Sequence, residues 1–309
     1  MLKIILDTDM GVDCDDAVAL GLLLNAERKK RLELIAITAS TTREGATGTA
    51  KAICDYYGAG EKPMGRLISP VLKCDEMNRY AKKCKDKYGT TDSNECAVKV
   101  LRKAIATCDG KVTIVAVGPL TNIAQLLQSS ADEYSSLDGK ALVKEKVEKV
   151  LIMGGSFSFN NDMIGRSASH RMAEWNVLQD IGSAIYVTDN LPVETVWVPW
   201  EAGYKVFTNL GINDNPVWFC MYTFAEALKF SEDNVTENGN IHRYSWDPIT
   251  AMFSYEDLSE YFDLSPFGTI RVSEKGYTEW REGEGNARFL IVKGGFEKLG
   301  KLIDAQMAE

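Results

Sequence analysis

A chain of 309 residues, 45% hydrophobic and 26% charged, is long enough to bury a sizeable core, as one large α/β unit or two smaller ones. Its net charge of −9 argues against a nucleic-acid partner held through phosphates, yet leaves room for a small neutral ligand or an anionic one reached through a metal. Seven cysteines without a Cys-x-x-Cys pair read as reduced thiols, and no apolar run approaches the roughly 20 residues of a membrane helix. A cytoplasmic protein with no signal peptide and no membrane partner is therefore expected.

In chain order, Leu2-Lys3-Ile4-Ile5-Leu6 is an apolar run expected to form a buried strand, and Ala17 to Leu24 is apolar over the length of a short helix. Between them stand Asp7, Asp9, Asp13, Asp15 and Asp16. They fall where a strand ends and a helix begins, which is where open α/β sheets bind their ligands. So much like charge is costly unless offset. The helix N-terminus favours a carboxylate by roughly 0.3–1 kcal/mol; a divalent cation does far more. With only hard oxygen donors on offer, Ca²⁺ or Mg²⁺ is expected rather than Zn²⁺.

Leu34-Ile35-Ala36-Ile37, within 33–40, reads as a second strand, and 44–57 as a second helix, so strand and helix alternate as in a parallel sheet. From 66 to 94 the periodicity fades, and this stretch is expected to be an irregular lid or a solvated excursion. A helix over 95–108, a strand over 111–117 and a helix over 120–127 follow, then a strand over 150–153 ended by Gly154-Gly155. A polar loop is expected to Arg171, a helix over 181–187 and a strand over 193–198. The last third is helical around 217–230, with strands over 268–272 and 288–292 and a closing helix over 296–308. With no repeat or linker, residues 1–309 are expected to form one domain of open, mostly parallel sheet. Asp7, Val117-Gly118 and Met153-Gly154 would then share one carboxyl edge. In Trp246-Asp247-Pro248, Asp247 reads on its own as a helix N-cap before a proline.

Several chemistries are disfavoured. An EF-hand wants Gly and Glu where Val12 and Val18 stand. A haloacid-dehalogenase-like phosphotransferase also opens with Asp-x-Asp, making Asp7 the nucleophile and Asp9 the acid. Gly11 falls where that pattern wants Thr or Val, and its later lysine and acid pair are not found. Only His170 and His242 are present, and no Gly-x-Ser-x-Gly, P-loop or dinucleotide fingerprint occurs. Acid–base work thus falls to carboxylates.

The run Asp7-Thr-Asp-Met-Gly-Val-Asp-Cys-Asp-Asp-Ala17 resembles the opening motif of the inosine–uridine-preferring nucleoside hydrolases, in a longer form carrying Asp13-Cys14 as extra residues. Ala116-Val-Gly-Pro-Leu-Thr-Asn-Ile-Ala124 resembles that family's second block. Leu151-Ile-Met-Gly-Gly155 with Ala173-Glu-Trp-Asn-Val177 resembles the third, and Trp246-Asp-Pro248 the fourth. The blocks stand in the family's order, and the Gly276-Tyr-Thr-Glu-Trp280 turn fits as well.

The resemblance implies a nucleoside hydrolase fold with a Rossmann-like core and a Ca²⁺ ion at the bottom of a deep pocket. It implies that Asp9, Asp16 and Asp247 hold the metal with the main-chain carbonyl of Val117, and that Asp15 holds a ribose hydroxyl. Asp9 would also be the base that deprotonates the metal-bound water. Met153, Glu174 and Asn176 would line the ribose, with Asn161 or Asn160 near its 5′-hydroxyl. The implied reaction splits a ribonucleoside into ribose and free base through an oxocarbenium-like transition state, and the implied assembly is a homodimer or homotetramer. Two departures bear on it. Trp246 replaces a histidine that many members use to protonate the leaving base, which favours a stacked purine. Thr41-Thr42-Arg43-Glu44 stands where the family has an Asn after the second strand, so a ribose contact is lost or supplied otherwise. A catalytically silent metal- and ribose-binding protein of the same fold is the alternative.

Overall fold

The computed structural model describes residues 1–157, 172–211, 214–236 and 239–308. The chain opens with β1 (Leu2–Thr8), α1 (Asp15–Arg28), β2 (Leu32–Ala39), α2 (Ala46–Tyr56) and β3 (Met64–Arg66). A 3₁₀ turn at Lys73–Glu76 leads to α3 (Ala81–Tyr88), α4 (Ala97–Thr107), β4 (Val112–Ala116), α5 (Thr121–Gln128), α6 (Gly139–Lys146) and β5 (Val147–Met153). Next come α7 (Trp175–Gln179), α8 (Ile181–Asn190), β6 (Glu194–Val198), α9 (Trp200–Gly203), β7 (Phe207–Asn209) and α10 (Pro216–Ala227). The chain closes with β8 (His242–Tyr244), α11 (Trp246–Phe253), β9 (Phe262–Leu264), β10 (Gly268–Val272), β11 (Thr278–Glu282), β12 (Ala287–Val292) and α12 (Phe296–Ala308).

The main sheet runs β11-β10-β12-β6-β5-β4-β1-β2-β3, with β9 beside β12, and β7 pairs β8 separately. From β3 to β12 through β1 and β6 every neighbour is parallel; β9, β10 and β11 pair antiparallel. Helices cover both faces, which is why the central strands carry consecutive apolar residues, such as Ile4-Ile5-Leu6 and Val150-Leu151-Ile152-Met153, rather than alternating. Within β1, Ile4 and Leu6 pack into the cluster shared with α1, α10 and α11, while Ile5 packs into the opposite cluster with Ile114, Ile123 and Leu142. The order 3-2-1-4-5-6 reverses between β1 and β4, and a crevice opens at the carboxyl ends of those two strands. The open, mostly parallel sheet with a Rossmann-like core is as expected.

Three local expectations are corrected. The stretch 66–94 is not irregular throughout: it holds the 3₁₀ turn and α3. Its helix buries only Ala81 and Cys84 among lysines, too sparse an apolar face to show as periodicity. The Gly276–Trp280 turn continues into β11, paired antiparallel to β10. Asp247 is not an N-cap, since α11 begins at Trp246 with Ser245 before it. The seven cysteines are free thiols. Among the described residues no helix is long and apolar enough to cross a membrane.

Candidate active site

The crevice between β1 and β4 is a cavity of about 280 Å³, and the loop from β1 to α1 forms much of its wall. Asp7, still within β1, does not line it. Its Oδ1 accepts the Thr38 hydroxyl at 2.6 Å and the Asn122 amide at 2.7 Å, tying β2 and α5 to β1. Burial lifts its carboxyl to about 7, and the other oxygen has no partner among the described residues. A carboxyl so enclosed is a poor nucleophile, which counts against the phosphotransferase alternative.

Asp9, Asp15, Asp16 and Asp247 all line the cavity. Asp16 Oδ1 accepts the Thr8 hydroxyl and, at 3.1 Å, the main-chain N–H of Asp9. Asp15 Oδ2 accepts the main-chain N–H groups of Trp246 and Asp247, each at 3.1 Å, so it caps α11 from the far end of the chain. Oxygens of Asp15, Asp16 and Asp247 lie within 4.8 Å of one another, and all three side chains are buried. Burial, reinforced by the neighbouring carboxylates, pushes each of the three well above the usual carboxylate range. Burial also raises Asp9, to about 6, with Arg43 opposing and Asp13 adding to the rise. Buried carboxylates this close remain jointly ionised only beside a cation. The donors are all hard oxygens, so the set fits a divalent cation of the Ca²⁺ or Mg²⁺ kind.

The expected residues from the third block converge here too. The Asn176 side-chain amide donates to the carbonyls of Val117 (3.0 Å) and Met153 (3.3 Å), bridging the ends of β4 and β5. Glu174 caps α7, accepting the N–H groups of Asn176, Val177 and Gly155 at 2.8, 3.1 and 3.3 Å, and burial raises it to about 7. Val117, Met153, Glu174, Asn176 and Trp246 all line the cavity. Asn160, Asn161 and His170 lie outside the described residues.

Arg43 is only 2% exposed. It spends its guanidinium on the main-chain carbonyls of Asp9 (2.6 Å), Met10 (3.0 Å), Cys74 (3.0 Å) and Met77 (2.5 Å). Gly11, at φ +127°, makes room for it: a Cβ there would stand 2.4 Å from Arg43 Cδ. Thr41 and Thr42 bind Asp75. None of residues 41–44 lines the cavity; they fasten the 66–94 segment beside it.

Trp246 is held by its indole N–H, which donates to the Trp200 carbonyl at 2.7 Å, and Gly203 lies against its ring. His242 points elsewhere, stacked on Phe207 with its Nε2 3.3 Å from the Glu232 carbonyl. Sequence reasoning missed Arg79, Trp200 and Arg243, which line the cavity along with Val12, Asp13 and Trp175. The faint signal for Arg243 was its place between the aromatic rings of a three-residue strand.

The family model described as inosine-uridine preferring nucleoside hydrolase matches residues 4–291. A probable uridine nucleosidase 2 of Oryza sativa subsp. japonica is 24% identical over 296 residues, covering 89% of this chain and 79% of its own. Uridine nucleosidase 1 of Arabidopsis thaliana is 28% identical over 248 residues, covering 77% of this chain and 61% of that longer protein. The solved inosine-uridine preferring nucleoside hydrolase from Bacillus anthracis superposes with a TM-score of 0.69 at 17% identity, covering 99% of this chain and 100% of the other, a likeness of fold.

Proposed function

The chain belongs to the inosine-uridine preferring nucleoside hydrolase family and is a hydrolase acting on N-glycosyl compounds, and from that premise we propose that it splits a ribonucleoside into ribose and free base. The observation that carries this reading is the buried Asp15, Asp16 and Asp247 trio with Asp9 beside it, at the point where the strand order reverses.

We assign Asp9, Asp16 and Asp247, with the Val117 carbonyl, as the groups that would hold Ca²⁺. When bound, the ion supplies positive charge that keeps these carboxylates ionised together and makes water more acidic. Asp9 takes the proton from the attacking water. Asp15, whose Oδ2 is engaged with α11, has Oδ1 left to accept a ribose hydroxyl. Asn176 turns its N–H₂ group to main-chain carbonyls, which leaves its amide oxygen for the sugar. Met153 and Glu174 complete the sugar's surroundings, and buried oxygens favour the positive charge that grows on the ribose as the glycosidic bond opens. Asn161 is proposed for the 5′-hydroxyl on the resemblance alone.

Trp246 offers an indole on which a base can stack, an interaction worth about 1–3 kcal/mol in other nucleic-acid contexts, and a purine has the larger face. A purine nucleoside is therefore the preferred substrate. The test is release of reducing sugar from purine and pyrimidine nucleosides in the presence of Ca²⁺. Turnover of at least one, purines fastest, is expected. No turnover of any, with ribose still bound, would favour a silent binding protein.

A further inference from the structure

Asp13 makes a two-point ion pair with Arg243: Nε donates to Oδ1 at 2.8 Å, and Nη2 donates to Oδ2. Arg243 is the middle residue of β8. Alternation along that strand sets His242 and Tyr244 against Phe207, with ring centroids 4.5 and 4.8 Å away. The arginine projects from the opposite side, into the cavity wall. Its guanidinium carbon lies 5.3 Å from the centre of the Trp246 ring and 5.0 Å from that of Phe224.

The carboxylate trio is almost fully buried, whereas the side chains of Arg243 and Asp13 are 14% and 27% exposed. The trio is thus the floor, and the ion pair stands nearer the mouth. A nucleoside held by its sugar on the floor turns its base toward this wall. Asp13 takes one edge of the guanidinium, its Nε and Nη2 donors, while Nη1 has no hydrogen bond among the described residues. Arg79 also lines the cavity, but its Nη1 donates to the Val12 carbonyl at 3.2 Å and its guanidinium packs on Phe224. No histidine, lysine or tyrosine lines the cavity among the described residues.

We propose that Arg243, oriented by Asp13, is the residue that stabilises the departing base; this rests on the nucleosidase reading above. The C1′–N bond breaks with its electron pair remaining on the base nitrogen, and the water oxygen bonds to C1′. Asp9 takes one proton of that water, and the other stays on the new ribose hydroxyl. The base leaves as an anion beside Arg243 and takes a proton from solvent, to which Asp9 returns its own. Arginine is suited to this because its charge is permanent and its planar fork presents donors in fixed directions. Since it does not give up a proton, its contribution is electrostatic rather than acid catalysis.

The test compares the best nucleoside substrate with 4-nitrophenyl β-D-ribofuranoside, whose phenolate departs unaided. The variants are Arg243→Gln, Arg243→Lys, Asp13→Asn and the double change Asp13→Asn with Arg243→Gln, the last leaving no unpaired charge. Near-ultraviolet circular dichroism checks that each is folded. Removing the guanidinium should lower kcat on the nucleoside by about 10²–10³-fold and on the nitrophenyl riboside by less than about tenfold. Arg243→Lys should recover part of the loss, and Asp13→Asn, a positioning change, should hurt the nucleoside selectively. Equal losses on both substrates, or unchanged nucleoside turnover, overturn the role of Arg243. Wild-type protein that cleaves neither substrate overturns the nucleosidase reading itself, and this inference with it.

Discussion

The Asp15 carboxylate accepts the main-chain N–H of Asp247 at 3.1 Å, joining the start of α1 to the start of α11. One side chain thus both caps a helix and belongs to the acidic trio. Asp15→Asn keeps an oxygen for the cap but loses the charge. It should fold as the parent does while binding Ca²⁺ more weakly in a calorimetric titration. Asp15→Ala should in addition lose about 1–2 kcal/mol of stability to denaturant, the range for a lost cap. Asp247→Ala should weaken Ca²⁺ as well; an unchanged titration would remove it from the ligand set.

Acidity offers a second check. Asp7 and Asp9 are raised by burial to about 7 and about 6, above their values in the unfolded chain. A group so shifted contributes stability that is complete below its unfolded pKa and is lost as pH rises through the folded value. Without divalent cation, Tm should therefore fall between about pH 4 and 7. Saturating Ca²⁺ should raise Tm more at pH 7.5 than at pH 5, because the ion competes with protons for the carboxylates. A Ca²⁺ effect independent of pH would speak against Asp9, Asp16 and Asp247 as its ligands.

Asp9→Asn should abolish nucleoside turnover with the fold intact, as seen by circular dichroism. Rates like those of the parent would remove Asp9 as the base.

Trp246→Ala should slow purine substrates more than pyrimidine ones. Gly203→Ala should act in the same direction, since the added Cβ would stand 2.4 Å from Trp246 Cδ1 and the ring must shift. An equal loss on both base classes would discard stacking as the source of preference.

Away from the cavity, Arg102 is 2% exposed and binds both oxygens of Asp132, at 2.6 and 3.1 Å, and the Leu137 carbonyl at 2.9 Å. Arg102→Met should cost roughly 2–4 kcal/mol in denaturant unfolding, by leaving these acceptors without their donor. The kinetic constants of the folded fraction should stay unchanged.

Strands β1, β2, β4, β5, β6, β10 and β12 and the acidic loop were legible because each depends on short stretches: apolar runs such as Ile4 to Leu6, and the acids that follow; the short β3 and β9 and the polar β11 carry no such run and were not. Other features were hidden for physical reasons. In α3, most side chains face water, so little apolar pattern exists to read. Arg43 looked like a stray basic residue in the place of an amide, and only folding shows that its guanidinium is filled by main-chain carbonyls. The pairing of Asp13 with Arg243 crosses almost the whole chain, and nothing local marks either residue as the other's partner. Asp247 read as a cap because a proline follows it, whereas the acid that caps α11 is Asp15.

That clasp between α1 and α11 also bears on how the enzyme comes into being. The floor joins acids of the first loop and helix to Asp247, 232 positions beyond Asp15, so a nascent fragment ending before Trp246 holds only part of the acidic set. Capture of a cation by this acidic set would then be a late event in biogenesis, and a chain cut anywhere between the two helices would have to keep its pieces together to retain it.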